Sequence, residues 1–131
     1  MRSFFVFLAG FFLSLTLGCG RGQEARPVTS QVLADWIRSR KGLVLVDVRT
    51  VGEYHAGHIP TAINIPLQAI SADPSVVQKG GVLVLYCRSG NRSGQALEIL
   101  QRAGHRGIIN FGGLFRWEGK QVTGSAPGQL E

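Results

Sequence analysis

Blocks of apolar and polar residues alternate along the chain and predict strands that alternate with helices. Residues 43–48 and 82–86 are apolar runs without alternation, a pattern typical of strands that are covered on both faces in a parallel sheet. Residues 63–65 and 108–111 are shorter apolar segments and predict two further strands. These four segments are the candidates for a central sheet.

The first helix is predicted from the spacing of Leu33 and Ile37, which share one helical face. Thr29 or Ser30 can cap its amino end, and Gly42 ends it. Such an amphipathic helix packs its apolar face on another element, which we expect to be the sheet.

A second helix is predicted over residues 93–103, between the strands 82–86 and 108–111. Strand, helix and strand in this order form a parallel crossover unit, so the class is α/β with helices on both faces. Shorter helical turns are predicted at residues 66–70, 74–79 and 112–117. The segment 49–61 contains two glycines and a proline and is predicted to be a loop.

Residues 1–18 have the outline of a secretory signal peptide, with a basic start, an apolar middle and small residues at the end. The apolar stretch 4–17 is shorter than the about 20 residues that a membrane-spanning helix needs, which favours removal of the segment. Residues 16–19, Thr-Leu-Gly-Cys, resemble the lipobox of bacterial lipoproteins, in which the cysteine carries the lipid. We therefore expect an exported protein of the periplasm or cell envelope, anchored by lipid at Cys19; the alternative is a simply cleaved signal peptide.

The rest of the chain predicts one domain. Residues 19–27 are short and polar and are expected to be a tether, residues 28–120 the folded domain, and residues 121–131 a flexible tail. The formal net charge is +6, but the basic residues are scattered and form no nucleic-acid motif. A small anionic substrate suits this charge better than a nucleic acid. We expect a monomer that contacts the membrane only through the lipid.

Cys87 is the candidate nucleophile, because it lies where a buried strand ends and a helix begins. Unpaired backbone N–H groups and the positive end of the helix dipole favour the thiolate there. Cys19 is the other cysteine of the chain. If Cys19 carries lipid it cannot form a disulfide, and Cys87 remains a free thiol outside the cytoplasm.

Several separated motifs then resemble a single-domain rhodanese, a sulfurtransferase. They are Asp47-Val48-Arg49, Glu53, His55, Gly57-His58-Ile59-Pro60, Ala62-Ile63-Asn64-Ile65-Pro66, Cys87-Arg88-Ser89-Gly90-Asn91-Arg92-Ser93 and Gly112-Gly113 with Trp117. The resemblance covers residues 28–120. Thr61 departs from it, since the family often has glycine there, and no proline follows Trp117.

The resemblance implies a rhodanese-like three-layer α/β/α fold with a mostly parallel sheet. It implies a thiosulfate sulfurtransferase in which Cys87 receives a sulfane sulfur as a persulfide and passes it to cyanide or a thiol, including a protein thiol. No cofactor is implied. The loop residues expected to bind the anionic sulfur donor are Arg88, Ser89, Gly90, Asn91, Arg92 and Ser93.

The two arginines of this loop are the candidates for holding the oxygens of the donor, because a guanidinium offers several N–H groups in a fixed fork. Arg92 is expected to face the pocket more than Arg88, since it lies where the loop ends and the helix begins. The alternative is that one of the two arginines pairs with a nearby acid.

Four residues near the site are expected to shape the fold rather than to act in catalysis: Asp47, Arg49, Glu53 and His58. His55 and His58 have no third ligand at a convincing spacing, so no metal is expected.

Two other functions compete with sulfur transfer. Cysteine-based phosphatases and arsenate reductases have a similar loop but one residue more between cysteine and arginine, and a histidine typically precedes the phosphatase cysteine where this chain has Tyr86. A shorter ring of amides suits a sulfur atom better than a phosphate. The second alternative is a rhodanese-like module that carries sulfur or senses thiol oxidation without turnover.

Overall fold

The computed structural model describes residues 27–131. The predicted signal peptide, Cys19 and all but the last residue of the predicted tether lie outside the described residues and stay predictions. Within residues 27–131, no helix is both long and apolar enough to cross a membrane.

Four parallel strands form the central sheet, in the order β2-β1-β3-β4. They are β1 (Leu43–Asp47), β2 (Ile63–Asn64), β3 (Val82–Cys87) and β4 (Ile108–Gly113). All four were predicted from the apolar runs, and the predicted α/β class is confirmed. Because the strands are parallel, the carboxyl ends of β1, β3 and β4 lie at the same edge of the sheet.

The helices are α1 (Ser30–Ser39), α2 (Val51–Ala56), α3 (Leu67–Ala72) and α4 (Asn91–Arg102), with short 3-10 turns at Pro74–Val76 and Leu114–Arg116. Thr29 caps α1, as predicted: its side chain accepts a hydrogen bond from the Val32 amide at 3.2 Å. The predicted turn at 112–117 is shorter than expected, because β4 continues to Gly113 before the 3-10 turn begins.

Alternate residues of the strands face two separate hydrophobic clusters. On one face, Val84 and Tyr86 of β3 pack with Leu33 of α1. On the other face, Leu85 and Cys87 pack with residues of α3 and α4, including Ile70, Ala96 and Leu100. The sheet is therefore covered on both sides, which explains why its central strands have no polar alternation.

Helix α2 corrects the prediction of a loop over residues 49–61. Thr50 and Glu53 form a capping box: the Thr50 hydroxyl accepts from the Glu53 amide at 3.3 Å, and the Glu53 carboxylate accepts from the Thr50 amide at 3.0 Å. The helix has only 6 residues, too few for apolar periodicity to reveal it. The Thr-x-x-Glu spacing was the available signal.

Residues 121–131, predicted to be a flexible tail, lie against the domain in the structure. Val122 and His58 exchange two backbone hydrogen bonds of 2.9 and 3.0 Å. The Thr61 amide donates to the Pro127 carbonyl at 2.8 Å, and Leu130 packs against the hydrophobic cluster of α1. Backbone pairing with a loop cannot be recognised from a segment without apolar periodicity, and this is why the sequence suggested a tail.

Thr61 adopts a left-handed backbone conformation, with φ of 71°. A β-branched residue is disfavoured there, so the Thr61→Gly variant is expected to gain about 1 kcal/mol in free energy of unfolding. Urea denaturation measures the change. Thr61→Ala, which keeps the Cβ atom, is the control; an equal gain in both variants, or a loss in Thr61→Gly, would contradict the assignment of strain.

Candidate active site

Cys87 is the last residue of β3 and is paired with Gly113 of β4. The pairing register shifts between Leu85 and Tyr86, whose partners are Asn110 and Gly112. The irregularity brings two consecutive glycines of β4 beside the end of β3. The cysteine therefore lies at the carboxyl edge of the sheet, where ligands of open α/β sheets usually bind.

The Cys87 sulfur accepts hydrogen bonds from the loop that follows it. The Gly90 amide donates to Sγ at 3.0 Å, and the Ser93 hydroxyl lies 3.5 Å from Sγ and 3.1 Å from the Gly90 carbonyl oxygen. Burial raises the pKa of the thiol, but hydrogen bonds from the Ser93 hydroxyl and from the amides of Ser93, Gly90 and Ser89 outweigh it, and the net pKa is lowered. The loop thus favours the thiolate, the nucleophilic form.

Two glycines allow the loop to close around the sulfur. Gly90 precedes α4 in a left-handed conformation with φ of 100°, and a Cβ atom there would lie 3.4 Å from Gly112 Cα. A Cβ atom on Gly113 would lie 2.7 Å from the Arg88 carbonyl oxygen and 2.3 Å from Phe115 Cε1. A side chain at Gly113 would therefore force the loop or the Phe115 ring to move.

Arg92 pairs with an acid, which is the alternative that the sequence left open for one of the two arginines of the loop. Its two terminal nitrogens donate to the two oxygens of Glu53 at 2.7 and 2.8 Å. The Arg92 guanidinium holds the pKa of the Glu53 carboxyl well below its ordinary value of 4.5, and Glu53 in turn raises the pKa of Arg92. The sequence did not reveal this pair because it did not predict α2, which carries Glu53.

Arg88 lines an open pocket of about 780 Å³ at this edge of the sheet. The charged residues of the lining are Arg49, Glu53 and Arg88. Arg49 is paired with Asp47, and Glu53 with Arg92, whereas among residues 27–131 Arg88 makes no ion pair and no side-chain hydrogen bond. Arg88 is thus the uncompensated charge of the pocket.

The buried pair of Asp47 and Arg49 lies at the wall of the pocket, which Arg49 lines. Arg49 donates to Asp47 at 2.9 Å through Nε and 2.6 Å through a terminal nitrogen, and to the Gly57 carbonyl oxygen at 2.7 Å. Burial alone would lower the pKa of Arg49, but the Asp47 carboxylate more than offsets it and the net pKa is raised. The pair joins the end of β1 to the residue that follows α2, an arrangement that fixes the fold around the site.

The side chains of the remaining predicted site residues make no hydrogen bond to the Cys87 sulfur within the described residues. His58 is buried, with its ring nitrogens 2.8 Å from the Tyr54 carbonyl oxygen and 3.0 Å from that of Ala126, while His55 is exposed. Asn91 accepts a hydrogen bond from the Gln95 side chain at 3.0 Å. In the part of the chain that the structure describes, no three His, Cys, Asp or Glu residues are grouped to hold a metal ion.

Sequence reasoning missed the residues at the rim of the pocket. Ala56, Leu114, Phe115 and Gln121 line it together with Trp117, which the sequence analysis named only as part of the family resemblance. The sequence carries no signal for them, because the 3-10 turn and the segment after Lys120 approach the site only through tertiary packing.

The comparisons with known proteins agree with this architecture. The family model described as "Rhodanese-like domain" matches residues 29–120. A protein named "Sulfurtransferase" from Allochromatium vinosum is 35% identical over 91 residues, which are 69% of this chain and 85% of that protein. "Thiosulfate sulfurtransferase PspE" of Escherichia coli is 39% identical over 71 residues, 53% of this chain and 68% of that protein.

Relatives differ in length. A Synechocystis protein that is 41% identical over 83 residues, 63% of this chain, is longer, and the chain covers 46% of it. Among solved structures, a rhodanese with anions from Escherichia coli has a TM-score of 0.53 and 36% identity, covering 63% of this chain and 99% of that one.

Removal of the Ser93 hydroxyl is expected to raise the pKa of Cys87, because the hydrogen bond from this hydroxyl lowers that pKa more than any of the backbone amides does. In the Ser93→Ala variant, the midpoint of the pH profile for alkylation of Cys87 by iodoacetamide moves to higher pH. Ser89→Ala is the matched control, since Ser89 acts on the sulfur through its backbone amide, which alanine retains. An unmoved midpoint in Ser93→Ala, or an equal shift in both variants, would contradict this account.

Proposed function

The chain belongs to the rhodanese-like domain family, and we propose that it is a sulfurtransferase that moves a sulfane sulfur from thiosulfate to a thiophilic acceptor, cyanide or a thiol. The observation that carries the proposal is the Cys87 sulfur, which lies at the floor of the loop and receives hydrogen bonds that favour its thiolate. Relatives named as sulfurtransferases, one of them a thiosulfate sulfurtransferase, support it.

Two displacements at sulfur make up the reaction. The Cys87 thiolate attacks the outer sulfur of thiosulfate; a sulfur–sulfur bond forms as the sulfur–sulfur bond of the donor breaks, and sulfite leaves with the electron pair. The acceptor then attacks the outer sulfur of the persulfide, and Cys87 leaves as the thiolate. The amides that stabilise the thiolate also face the charge of the persulfide, so neither form is left without hydrogen-bond donors.

Arg88 is the residue that holds the oxygens of the donor in this proposal. It lines the pocket and has no carboxylate partner among residues 27–131, so its guanidinium is available to an anion. Arg92 donates two of its five N–H groups to Glu53, and this carboxylate already compensates its charge. Binding at Arg88 places sulfite beside a cation as it leaves.

Phosphate chemistry is disfavoured by the same arrangement. A cysteine phosphatase needs an arginine at the end of the loop to hold the phosphate, whereas Arg92 is engaged by Glu53. The loop also has only four residues, Arg88, Ser89, Gly90 and Asn91, between Cys87 and Arg92.

We place the activity in the cell envelope, with the chain held by lipid at Cys19. The resemblance of residues 16–19 to a lipobox supports this location.

Turnover of thiosulfate and cyanide to thiocyanate and sulfite tests the proposed function. We expect the purified protein to form thiocyanate, Cys87→Ser to form none, and Arg88→Gln to raise the KM for thiosulfate about tenfold through loss of a charge-assisted hydrogen bond. Thiocyanate is measured as its ferric complex.

The matched control is Arg102→Gln, because Arg102 is an exposed arginine at the far end of α4. Equal KM values for thiosulfate in Arg88→Gln and Arg102→Gln would show that Arg88 does not bind the donor. If the wild-type protein forms no thiocyanate, the protein is a rhodanese-like module without turnover. Hydrolysis of an aryl phosphate would instead support a phosphatase.

A further inference from the structure

Four cations lie at the amino edge of the sheet, opposite the edge that carries Cys87. Lys41, Lys79 and Arg106 belong to the segments that lead into β1, β3 and β4, and Arg40 follows α1. All four residues are exposed. They are far apart in sequence, which is why the sequence predicted no cluster, but parallel strands begin at the same edge of a sheet. The fold therefore gathers them into one surface, which we call the basic patch.

The three segments before the strands touch through their glycines. A Cβ atom on Gly81 would overlap the Gly42 carbonyl oxygen, and one on Gly107 would lie 3.4 Å from the Gly81 carbonyl oxygen. Lys79 reaches the third segment, since a Cβ atom on Gly104 would lie 3.4 Å from its Nζ. Neighbouring strands are about 4.8 Å apart, so the three segments span about 10 Å, close to the screening distance of physiological salt. The charges of the basic patch therefore act together.

No carboxylate compensates the basic patch within residues 27–131, because none of its four cations forms an ion pair there. The acids of the neighbouring helices are paired with other arginines. Asp35 of α1 pairs with Arg38 at 3.7 Å, and Glu98 of α4 lies 3.2 Å from the arginine at position 102. Asp73, which precedes the 3-10 turn on the way to β3, is the one acid of the bordering segments without a cation partner in this range. The patch thus keeps a net positive charge.

An aromatic side chain borders the basic patch. Arg40 stacks on the half-buried Trp36 of α1, with its Cζ atom 4.2 Å from the ring centroid. Tryptophan beside arginine and lysine is typical of surfaces at the headgroup level of a membrane, where one end of the ring is apolar and the other is wet. An anionic membrane also presents many negative groups in one plane, which matches four cations on one edge. Charge and aromatic character both favour a lipid surface as the partner.

The predicted anchor permits contact between the basic patch and the membrane. Helix α1 begins near the Cys87 edge, where Arg116 donates to the Val28 carbonyl oxygen at 2.9 Å, and it ends at the patch. Its 10 residues span about 15 Å. The chain from Cys19 to Pro27 can extend over about 27 Å. A lipid at Cys19 therefore leaves the patch free to reach the same membrane.

We infer that the basic patch docks on an anionic lipid surface and holds the domain with its Cys87 edge turned away from the membrane. This contact adds to the lipid at Cys19 and revises the expectation that the lipid alone touches the membrane. The inference goes beyond the proposed function, because the patch and Cys87 lie at opposite edges of the sheet. In this orientation Cys87 faces molecules of the aqueous space.

The three lysines of the chain report the orientation, since two belong to the basic patch and Lys120 lies beside Trp117 at the Cys87 edge. The full chain is mixed with an excess of vesicles, made either of phosphatidylcholine or of phosphatidylcholine and phosphatidylglycerol in a two-to-one ratio. It is then treated briefly with a membrane-impermeant N-hydroxysuccinimide ester. Peptide mass spectrometry gives the labelling rate of each lysine.

On the anionic vesicles we expect the labelling rates of Lys41 and Lys79 to fall severalfold, while Lys120 reacts as it does on phosphatidylcholine. The protection is lost at about 1 M salt, where charges are screened within about 3 Å. In Arg106→Gln the docking equilibrium, calculated from the protection of Lys41, falls about fivefold, the effect of one cation at an anionic surface. Lys120→Gln is the matched control: it removes an equal charge from the opposite edge and leaves the protection of Lys41 unchanged.

Equal labelling of Lys41 and Lys79 on the two kinds of vesicle, or protection of Lys120 together with them, would overturn this docking. Equal effects of Arg106→Gln and Lys120→Gln would also overturn it, because net charge and not the basic patch would then cause the binding. If polyglutamate protects the two lysines and the vesicles do not, the patch binds an acidic polypeptide and the membrane proposal is wrong. Each of these outcomes leaves the proposed function intact, because thiocyanate formation is measured without vesicles.

Discussion

The ion pair between Glu53 and Arg92 is the interaction on which the geometry of the site depends. Glu53 accepts hydrogen bonds from Thr50 at the start of α2 and from Arg92 in the first turn of α4. One carboxylate thus joins the segment after β1 to the segment after β3. Arg92 lies where the loop around Cys87 ends. The sheet therefore fixes the Cys87 end of that loop, and the pair with Glu53 of α2 fixes the Arg92 end.

The distribution of charge around the sulfur follows from this constraint. Asp47 compensates Arg49, and Glu53 compensates Arg92, so two of the arginines near the site are used to hold segments together. Arg88 has no such acid partner among residues 27–131, while neutral amides and the Ser93 hydroxyl stabilise the thiolate. The hydrogen bonds at short range therefore favour the thiolate, and in the proposed function a separate charge at the pocket wall, Arg88, attracts the anionic donor.

Local patterns predicted the sheet, α1, α4 and the position of Cys87 at the end of β3, since each depends on residues that are close in sequence. The apolar runs of β1 and β3 and the position of Cys87 between a strand and a helix are of this kind. What could not be predicted depends on partners far apart in the chain. The acid that pairs with Arg92 could not be identified because Glu53 lies on a helix too short to show periodicity, and Phe115 had no local feature that placed it at the rim.

The central claim is that the Cys87 sulfur accepts and holds one sulfane sulfur. Intact-protein mass spectrometry after incubation with thiosulfate, followed by peptide mapping of the trapped persulfide, tests it most directly. The account predicts a gain of the mass of one sulfur atom, located on Cys87 and absent from the Cys87→Ser protein. An unchanged mass in the wild-type protein, or a sulfur that remains in the Cys87→Ser protein, would contradict it.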